Sequence, residues 1–235
     1  MTTLYFVSGM FSNYHFWDKY VQFFSDKGYH CKIVDLKENL DLRNTCLLDY
    51  INNTKKRITR DDILIGHSMG GLIVQKVAEE IPIKAAVAIA PSPPKGIKAQ
   101  SFSLFYLGLI FRSIRYMPKI VLKKPFLPSF SYLRLVLLND IDIEDAKKYY
   151  HQLEKQSAII VYELITSKYE VNEQKIQSPF LFIGRNRDRL VPSKVVEKVA
   201  KKHNGDFVLV NGCHFLMDEW QETVQKIYEF IKTYT

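Results

Sequence analysis

The stretch DDILIGHSMGGLIVQKVAEE, residues 61–80, changes character twice within twenty positions. Its apolar run ILI is short and β-branched, as in a buried strand, and it stops at the six residues GHSMGG. Apolar residues then return at helical spacing in LIVQKVA. The chain therefore passes from a buried strand into a helix through a sharp turn, and Ser68 lies at the middle of that turn.

The composition of the chain is that of an ordinary globular protein. Its 235 residues are enough for one sizeable α/β domain, and 47% of them are hydrophobic and 25% charged. The cysteines, Cys31, Cys46 and Cys213, are odd in number and lack CxxC spacing, which argues against a disulfide framework and against a zinc site. We therefore expect neither a metal nor an organic cofactor.

Targeting and membrane-spanning features are not expected from the sequence. The N-terminal residues MTTLYFVSGMF lack the basic start, long apolar stretch and cleavage site of a signal peptide. The longest apolar stretch, 101–111, is about half of the ~20 residues that a membrane-spanning helix needs. We expect a cytoplasmic protein.

Short strand-like runs alternate along the chain with amphipathic stretches of helical length. The strand-like runs are 4–7, 31–36, 62–66, 84–90, 179–184 and 206–210. The helical stretches are 13–27, 40–59, 69–80, 193–203 and 218–233. This alternation predicts an α/β fold, a mostly parallel doubly wound sheet of about six strands with helices on both faces.

The alternation is interrupted once, between Ala90 and Ser178. This interval begins with the loop-forming sequence PSPPKG and contains further prolines among aromatic and aliphatic residues. It is too long for one crossover helix and too apolar for a disordered linker. We predict that 91–178 is a helical cap inserted into a core formed by 1–90 and 179–235, in one structural domain overall.

The turn GHSMG at 66–70 matches the pattern G-x-S-x-G between a strand and a helix, which is the setting of a nucleophile elbow. Glycines on both sides of the serine allow the strand and the helix to approach each other. The Ser68 hydroxyl then lies at a helix N-terminus, which favours developing negative charge. An ordinary glycine-rich turn is the alternative interpretation.

A nucleophilic serine needs a base, and the base needs an acid that orients it. If the chain order is serine, acid, histidine, both partners follow Ser68 at strand ends. Asp188 follows the run 179–184 and His214 follows 206–210, so their loops are neighbours if the last two strands pair. We predict that Ser68, Asp188 and His214 are catalytic. A loop aspartate paired with an adjacent arginine and a packing histidine are the alternatives.

Other acids and histidines fit this arrangement less well. Asp206 and His203 precede the last strand-like run, so they belong at the opposite edge of the sheet. The histidines without a strand-end setting are interpreted as surface or structural residues, namely His15, His30 and His151.

Charge that develops on a reacting carbonyl oxygen is stabilised by fixed N–H donors. In a strand–elbow–helix arrangement one donor follows the nucleophile and the other comes from the loop after the first strand, here VSGMFSN. We predict that the backbone N–H groups of Met69 and Met10 form this oxyanion hole. For Met10, simple packing against the pocket is the alternative.

These motifs resemble the α/β-hydrolase family over nearly the whole chain, residues 3–233. GHSMGG is similar to the family's elbow, and GRNRDRLVP and NGCHF resemble its acid and histidine loops. Ser8-Gly9 stands where such proteins commonly have His-Gly. The resemblance places 91–178 in the position of the cap and implies a chemistry among those of esterases, lipases, thioesterases, peroxidases, hydroxynitrile lyases and acyltransferases.

The net charge of +8 comes from one segment of the chain. Residues 91–138 contain eight basic and no acidic residues, whereas the rest of the chain has 25 of each. Arg112, Arg115 and Lys119 fall on one helical face. A cap over Ser68 would then give an apolar pocket with cations near its mouth, and a solvated basic face is an equally good interpretation.

Such a pocket suits a lipid-like acyl chain that carries a negative group, and the basic cap also suits weak contact with a membrane surface. No recognition motif accompanies the basic residues, so we expect no nucleic-acid partner. The residues expected to line the substrate pocket are Phe11, His67, Phe105, Arg112 and Arg115.

The sequence therefore predicts a serine hydrolase that cleaves a small-molecule carboxylic ester or thioester through an acyl-enzyme, with an apolar acyl group. Two alternatives remain at this point: an acyltransferase that uses the same three residues, and a non-catalytic protein that binds a small ligand in a hydrolase fold.

Overall fold

The computed structural model describes residues 2–97 and 104–235, with the backbone alone at 104–107 and 110. The strands in this part of the chain are β1 (Thr3–Val7), β2 (His30–Ile33), β3 (Ile63–His67), β4 (Ala85–Ile89), β5 (Phe180–Arg185) and β6 (Asp206–Val210). They form one sheet in the order β2-β1-β3-β4-β5-β6, and every neighbouring pair is parallel. The predicted parallel sheet is confirmed.

Helices connect the strands. They are α1 (Asp18–Ser25), α2 (Leu47–Lys55), α3 (Met69–Ala78), α4 (Leu104–Ser113), α5 (Met117–Val121), α6 (Phe130–Val136), α7 (Ile143–Gln152), α8 (Ala158–Ile165), α9 (Ser193–His203) and α10 (Trp220–Ile231). Short 3₁₀ helices occur at Tyr14–Trp17, Ile114–Tyr116 and Glu173–Lys175.

Apolar side chains cover the sheet on both faces. On one face, α2, α3 and α9 contribute residues such as Ile51, Ile73 and Val196. On the other face, α1 and α10 contribute residues such as Phe24 and Ile227. Strands β1, β3, β4 and β5 are buried along their whole length, as expected for parallel strands that are covered twice. The fold is therefore doubly wound, as predicted.

Several predicted element boundaries were wrong. The helix predicted at 40–59 is only the nine residues of α2. The Asp41 carboxylate accepts hydrogen bonds from the Arg43 N–H at 3.1 Å and from Asn44 Nδ2 at 2.9 Å, which holds the preceding residues in a turn. Strand β2 ends at Ile33, three residues earlier than predicted. The helix predicted at 13–27 divides into a 3₁₀ turn and α1.

The chain between β4 and β5 carries α4 to α8. Apolar residues of these helices form a separate cluster, which includes Leu109, Leu133 and Val161. The same cluster contains Phe11, from the loop after β1, and Phe215, from the loop after β6. The helices thus pack on loops at the carboxyl ends of the strands. The division into core and cap at 91–178 stays a prediction.

Within the described residues, no helix is both long enough and apolar enough to cross a membrane.

Candidate active site

Ser68 lies between β3 and α3 in a backbone conformation that few residues adopt. Its φ is 53° and its ψ is −117°, which costs about 1–3 kcal/mol for a residue with a side chain. The Ser68 N–H donates to the Ile89 carbonyl at 2.9 Å, and the Ser68 carbonyl accepts from the N–H groups of Gly71 at 3.0 Å and Ser92 at 2.9 Å. Neighbouring backbone on both sides therefore holds the strained residue in place.

The glycines of the turn are required by the close approach of α3 to the strands. A Cβ on Gly70 would lie 2.7 Å from the carbonyl carbon of Val7 and 2.8 Å from the Ser8 carbonyl oxygen. A Cβ on Gly66 would lie 2.5 Å from the carbonyl carbon of Gly70. Backbone atoms cannot move aside as the end of a flexible side chain can, so both positions must lack a side chain.

The three residues predicted to be catalytic lie together in one hydrogen-bonded chain. Ser68 Oγ is 2.9 Å from His214 Nε2, and His214 Nδ1 is 2.7 Å from Asp188 Oδ2. An ionised carboxylate only accepts hydrogen bonds, so the Nδ1–H of His214 donates to Asp188. Nε2 is then the unprotonated nitrogen and accepts from the Ser68 hydroxyl. This arrangement can take a proton from Ser68.

The loop after β5 fixes the Asp188 carboxylate. While Oδ2 faces His214, Oδ1 accepts from the backbone N–H groups of Leu190 and Val191, both at 2.8 Å. The neighbouring Arg187 pairs with Asp140 and Asp218. Asp188 is 7% exposed and His214 1% exposed, so little water competes for the bond between them.

His67 connects the elbow to the histidine loop. Its Nε2 is 2.9 Å from the backbone carbonyl oxygen of His214. Burial, followed by the nearby His214 and Arg185, holds the pKa of His67 well below its usual range. The ring is therefore neutral, and its Nε2–H donates to the carbonyl that precedes Phe215. Through this hydrogen bond, His67 positions the loop that carries His214. Its place in the substrate pocket stays a prediction.

A buried arginine at the end of β5, which the sequence interpretation did not single out, supports the same loop. The Arg185 guanidinium donates to the backbone carbonyl of Asp218 and to Thr223 Oγ1, and the residue is fully buried. Gly212 has a φ of 124°, and a Cβ there would overlap the guanidinium. A basic residue that ends an apolar strand was the available signal in the sequence.

A second carboxylate fixes the other side of the histidine loop. Asp218 Oδ2 accepts from the Cys213 N–H at 2.6 Å and from Arg187 at 3.2 Å. Burial alone would raise the pKa of Asp218, but these hydrogen bonds outweigh it and lower the pKa. Burial also raises the pKa of the Cys213 thiol to about 12, so this cysteine is not a reactive thiolate.

The loop after β1 lies beside Ser68. A Cβ on Gly9 would be 3.2 Å from Ser68 Cβ, and Met69 is the first residue of α3. Among residues 2–97 and 104–235, no acceptor takes the backbone N–H of Met10 or of Met69. The assignment of these two N–H groups to an oxyanion hole stays a prediction. Ser8, which replaces the histidine common in such proteins, accepts from Trp17 Nε1 at 3.1 Å.

A cavity of about 440 Å³ opens beside Met69. Its walls come from the loop after β1, the residues after β2, Tyr50 of α2, and Glu154 and Gln156 between α7 and α8.

None of the described side chains predicted to line a substrate pocket lines this cavity, and the pocket assignment stays a prediction. Phe11 packs in the cluster of the inserted helices, 6.4 Å from Phe126 between ring centres. Arg112 and Arg115 are exposed and do not line the cavity beside Met69. The Phe105 side chain lies outside the part of the chain that the structure describes.

The remaining histidines are distributed as surface or structural residues. His203 packs on Phe180 and Phe182 and bonds Gln75 at 2.8 Å, and its burial lowers its pKa to about 4. His15 pairs with Asp18 in an exposed turn. In the described part of the chain, no three His, Cys, Asp or Glu side chains are grouped as metal ligands.

A family model described as the alpha/beta hydrolase family matches residues 4–226. The chain belongs to the alpha/beta hydrolase family. It is therefore a hydrolase, and the resemblance seen in its motifs is confirmed. No curated protein sequence is similar enough to this hydrolase to count as a relative.

Solved structures share the fold of this hydrolase at low sequence identity. The methylesterase MES16 from Arabidopsis superposes with a TM-score of 0.74 at 16% identity, over 99% of this chain and 100% of the other. An extracellular alpha/beta-hydrolase from a Paenibacillus species gives 0.73 at 18% identity, over 97% and 98%. A lipase-esterase related protein from Clostridium acetobutylicum gives 0.70 at 24% identity, over 100% and 94%.

Proposed function

We propose that this hydrolase cleaves a small-molecule carboxylic ester or thioester with Ser68 as the nucleophile. The observation that carries the proposal is the buried hydrogen-bonded chain from Ser68 through His214 to Asp188. The names of similar structures, a methylesterase and a lipase-esterase related protein, agree with ester substrates.

The reaction proceeds in two halves. His214 Nε2 takes the hydroxyl proton while Ser68 Oγ bonds to the substrate carbonyl carbon, and Asp188 stabilises the resulting imidazolium. The carbonyl oxygen becomes an oxyanion that accepts from the Met10 and Met69 N–H groups. Collapse of this intermediate breaks the bond to the alcohol or thiol, which takes the proton from His214. Water activated by His214 then attacks the acyl-enzyme and releases the acid.

We also propose that 91–178 is a cap and that it contributes to binding an apolar acyl group. The support is the cluster in which cap residues such as Leu109, Tyr116 and Phe126 meet Phe11 and Phe215 from the catalytic loops. Those two loops adjoin the proposed oxyanion hole and the histidine, so the cluster lies next to the reacting groups.

A further proposal is weak contact between the cap and an anionic membrane surface. Large apolar side chains are exposed from the end of α4 to the end of α5: Phe111 (72%), Ile114 (55%), Met117 (46%), Val121 (73%) and Leu122 (58%). Basic residues lie between them in the sequence, and residues 91–138 contain no acidic side chain. Apolar side chains flanked by cations are typical of surfaces that bind anionic lipid.

Vesicle sedimentation tests this contact. The protein should bind phosphatidylglycerol vesicles at low salt, and less well at high salt or with phosphatidylcholine alone. Replacing Phe111 and Val121 together by Ser should weaken binding, whereas Leu48→Ser, which changes an exposed apolar residue on α2, should not. Equal binding by the wild type and both variants would show that the vesicles do not bind at this surface of the cap.

Labelling with a fluorophosphonate probe, followed by intact-protein mass, tests the proposed nucleophile. Wild type should gain one adduct, and Ser68→Ala should gain none and lose ester hydrolysis. Ser25→Ala, at an exposed position of α1, is the matched control and should label as wild type does. An adduct on Ser68→Ala would contradict the proposal. Product analysis with added alcohol distinguishes hydrolysis from acyl transfer by the same residues.

A further inference from the structure

The cavity beside Met69 contains a buried amide with unused hydrogen-bonding capacity. Gln156 is 1% exposed and lines the cavity. Its side-chain oxygen accepts from the Tyr50 hydroxyl at 2.8 Å and from the Ser157 N–H at 2.9 Å. Two donors at one atom identify that atom as the oxygen, so the orientation of the amide is fixed. Among the described residues, no acceptor takes its NH₂ group, and because the nitrogen is not one of the fully buried atoms without a partner, it retains some accessible surface.

The main chain around Gln156 is tied to the loop that carries Met10. Gln156 and Phe126 exchange two backbone hydrogen bonds at 3.0 Å. The Glu154 N–H donates to the Phe11 carbonyl at 2.8 Å, and Asn13 Nδ2 donates to the Gln152 carbonyl at 2.8 Å. The NH₂ group is therefore held at a fixed position relative to the proposed oxyanion hole.

The charges around the cavity favour a neutral ligand. Two carboxylates, Asp35 and Glu154, face one cation, Lys37, and Lys37 already pairs with Glu154. An anionic group would meet an excess of negative charge and no unpaired cation among these lining residues. The NH₂ group of Gln156 only donates, so its partner must be a hydrogen-bond acceptor, and a neutral oxygen meets both requirements.

We propose that Gln156 binds a neutral oxygen of the substrate, a hydroxyl, ether or ketone oxygen separate from the scissile carbonyl. This inference rests on the proposed ester hydrolysis and adds a specificity determinant to it. A buried donor that meets a methylene group remains unpaired, so the site discriminates against the analogue that lacks the oxygen. The oxygen can belong to the alcohol part or to the acyl part of the ester, because the cavity is lined by Gly9 and Met69, which lie next to Ser68.

Two pairs of esters show whether the oxygen that Gln156 binds belongs to the alcohol part or to the acyl part of the substrate. In the alcohol series, 2,3-dihydroxypropyl butanoate is compared with propyl butanoate. In the acyl series, p-nitrophenyl 5-methoxypentanoate is compared with p-nitrophenyl heptanoate. The readout is the ratio of kcat/KM within a pair, which does not depend on the fraction of correctly folded enzyme. Wild type should prefer the oxygen-bearing ester about tenfold in at least one series.

Variants at the cavity should reduce that ratio. Gln156→Leu should bring it to about one, and Tyr50→Phe, which frees the amide to rotate, should lower it part of the way. Gln225→Leu, at an exposed position of α10, should keep the wild-type ratio. Wild type without a preference in either series, or a preference that persists in Gln156→Leu, would overturn the inference. Absence of all ester hydrolysis, with no probe adduct on Ser68, would instead contradict the proposed function.

Discussion

Replacement of Asp188 by Asn would keep the shape of the loop that carries residue 188. It would also move the proton of the neutral His214 ring from Nδ1 to Nε2. Both backbone N–H groups, of Leu190 and Val191, donate to one carboxylate oxygen at 2.8 Å. An amide that keeps these two bonds must place its oxygen there and its NH₂ against His214. The opposite orientation would lose two hydrogen bonds and leave two donors unpaired, at a cost of about 2–6 kcal/mol.

With an NH₂ group as its partner, Nδ1 of His214 must accept, so the proton of the neutral ring moves to Nε2. Nε2 is the atom 2.9 Å from Ser68 Oγ, and once protonated it cannot take the hydroxyl proton. We expect kcat to fall about 10⁴-fold, which corresponds to ~5 kcal/mol of transition-state stabilisation. Thermal stability should change little because the backbone bonds remain.

The assay is kcat/KM on p-nitrophenyl butanoate, with the unfolding temperature of each variant measured in parallel. Asp61→Asn, at an exposed position, is the matched control and should retain wild-type activity. A folded Asp188→Asn variant within about tenfold of wild type would refute the assignment of Asp188 as the orienting acid.

Two further perturbations test the fold around the site. Gly70→Ala should lower the free energy of unfolding, measured by urea titration, by about 3 kcal/mol because its Cβ would overlap the carbonyl of Val7. Gly108→Ala is the control. It has open space around its Cβ and should be neutral or stabilising. The second perturbation is a drop in pH, because His203 has a folded pKa of about 4 and an unfolded pKa of about 6.5. Between these two values the unfolded chain binds more protons than the folded chain. The free energy of unfolding should therefore fall by up to about 3 kcal/mol as the pH drops from 6.5 to 4. His203→Gln should show a smaller loss of stability and His15→Gln the wild-type loss; equal losses in all three proteins would contradict the assignment.

The order of strands and helices was predictable because short apolar runs alternate in the sequence with stretches of helical spacing. Where a polar side chain competes with the helix for backbone donors, helical spacing gives the wrong boundary. Asp41 binds the N–H of Arg43 and so delays the start of α2 to Leu47, although the apolar spacing continues backwards to position 40. Boundaries thus depend on single side-chain bonds that composition cannot reveal.

Strand ends were enough to find Ser68, Asp188 and His214 as neighbours, because parallel strands place the loops that follow them at one edge. The cavity beside Met69 was not predictable in the same way. Gln156 reaches it only through the packing of the inserted helices, and its amide is oriented by Tyr50, 106 positions away along the chain. Contacts of this kind are set by three-dimensional packing and leave no local signal.

The proposed nucleophile Ser68 and its proposed base His214 are 146 positions apart along the chain. Ser68 follows the interior strand β3, whereas His214 follows β6 at the edge of the sheet, and His67 joins the two loops through the His214 carbonyl. During synthesis on a ribosome, the elbow is made long before the loop that carries His214. If His214 activates Ser68 as proposed, the enzyme gains activity only after its last strand has emerged and docked, and detachment of that edge alone would abolish activity while the interior strands stay folded.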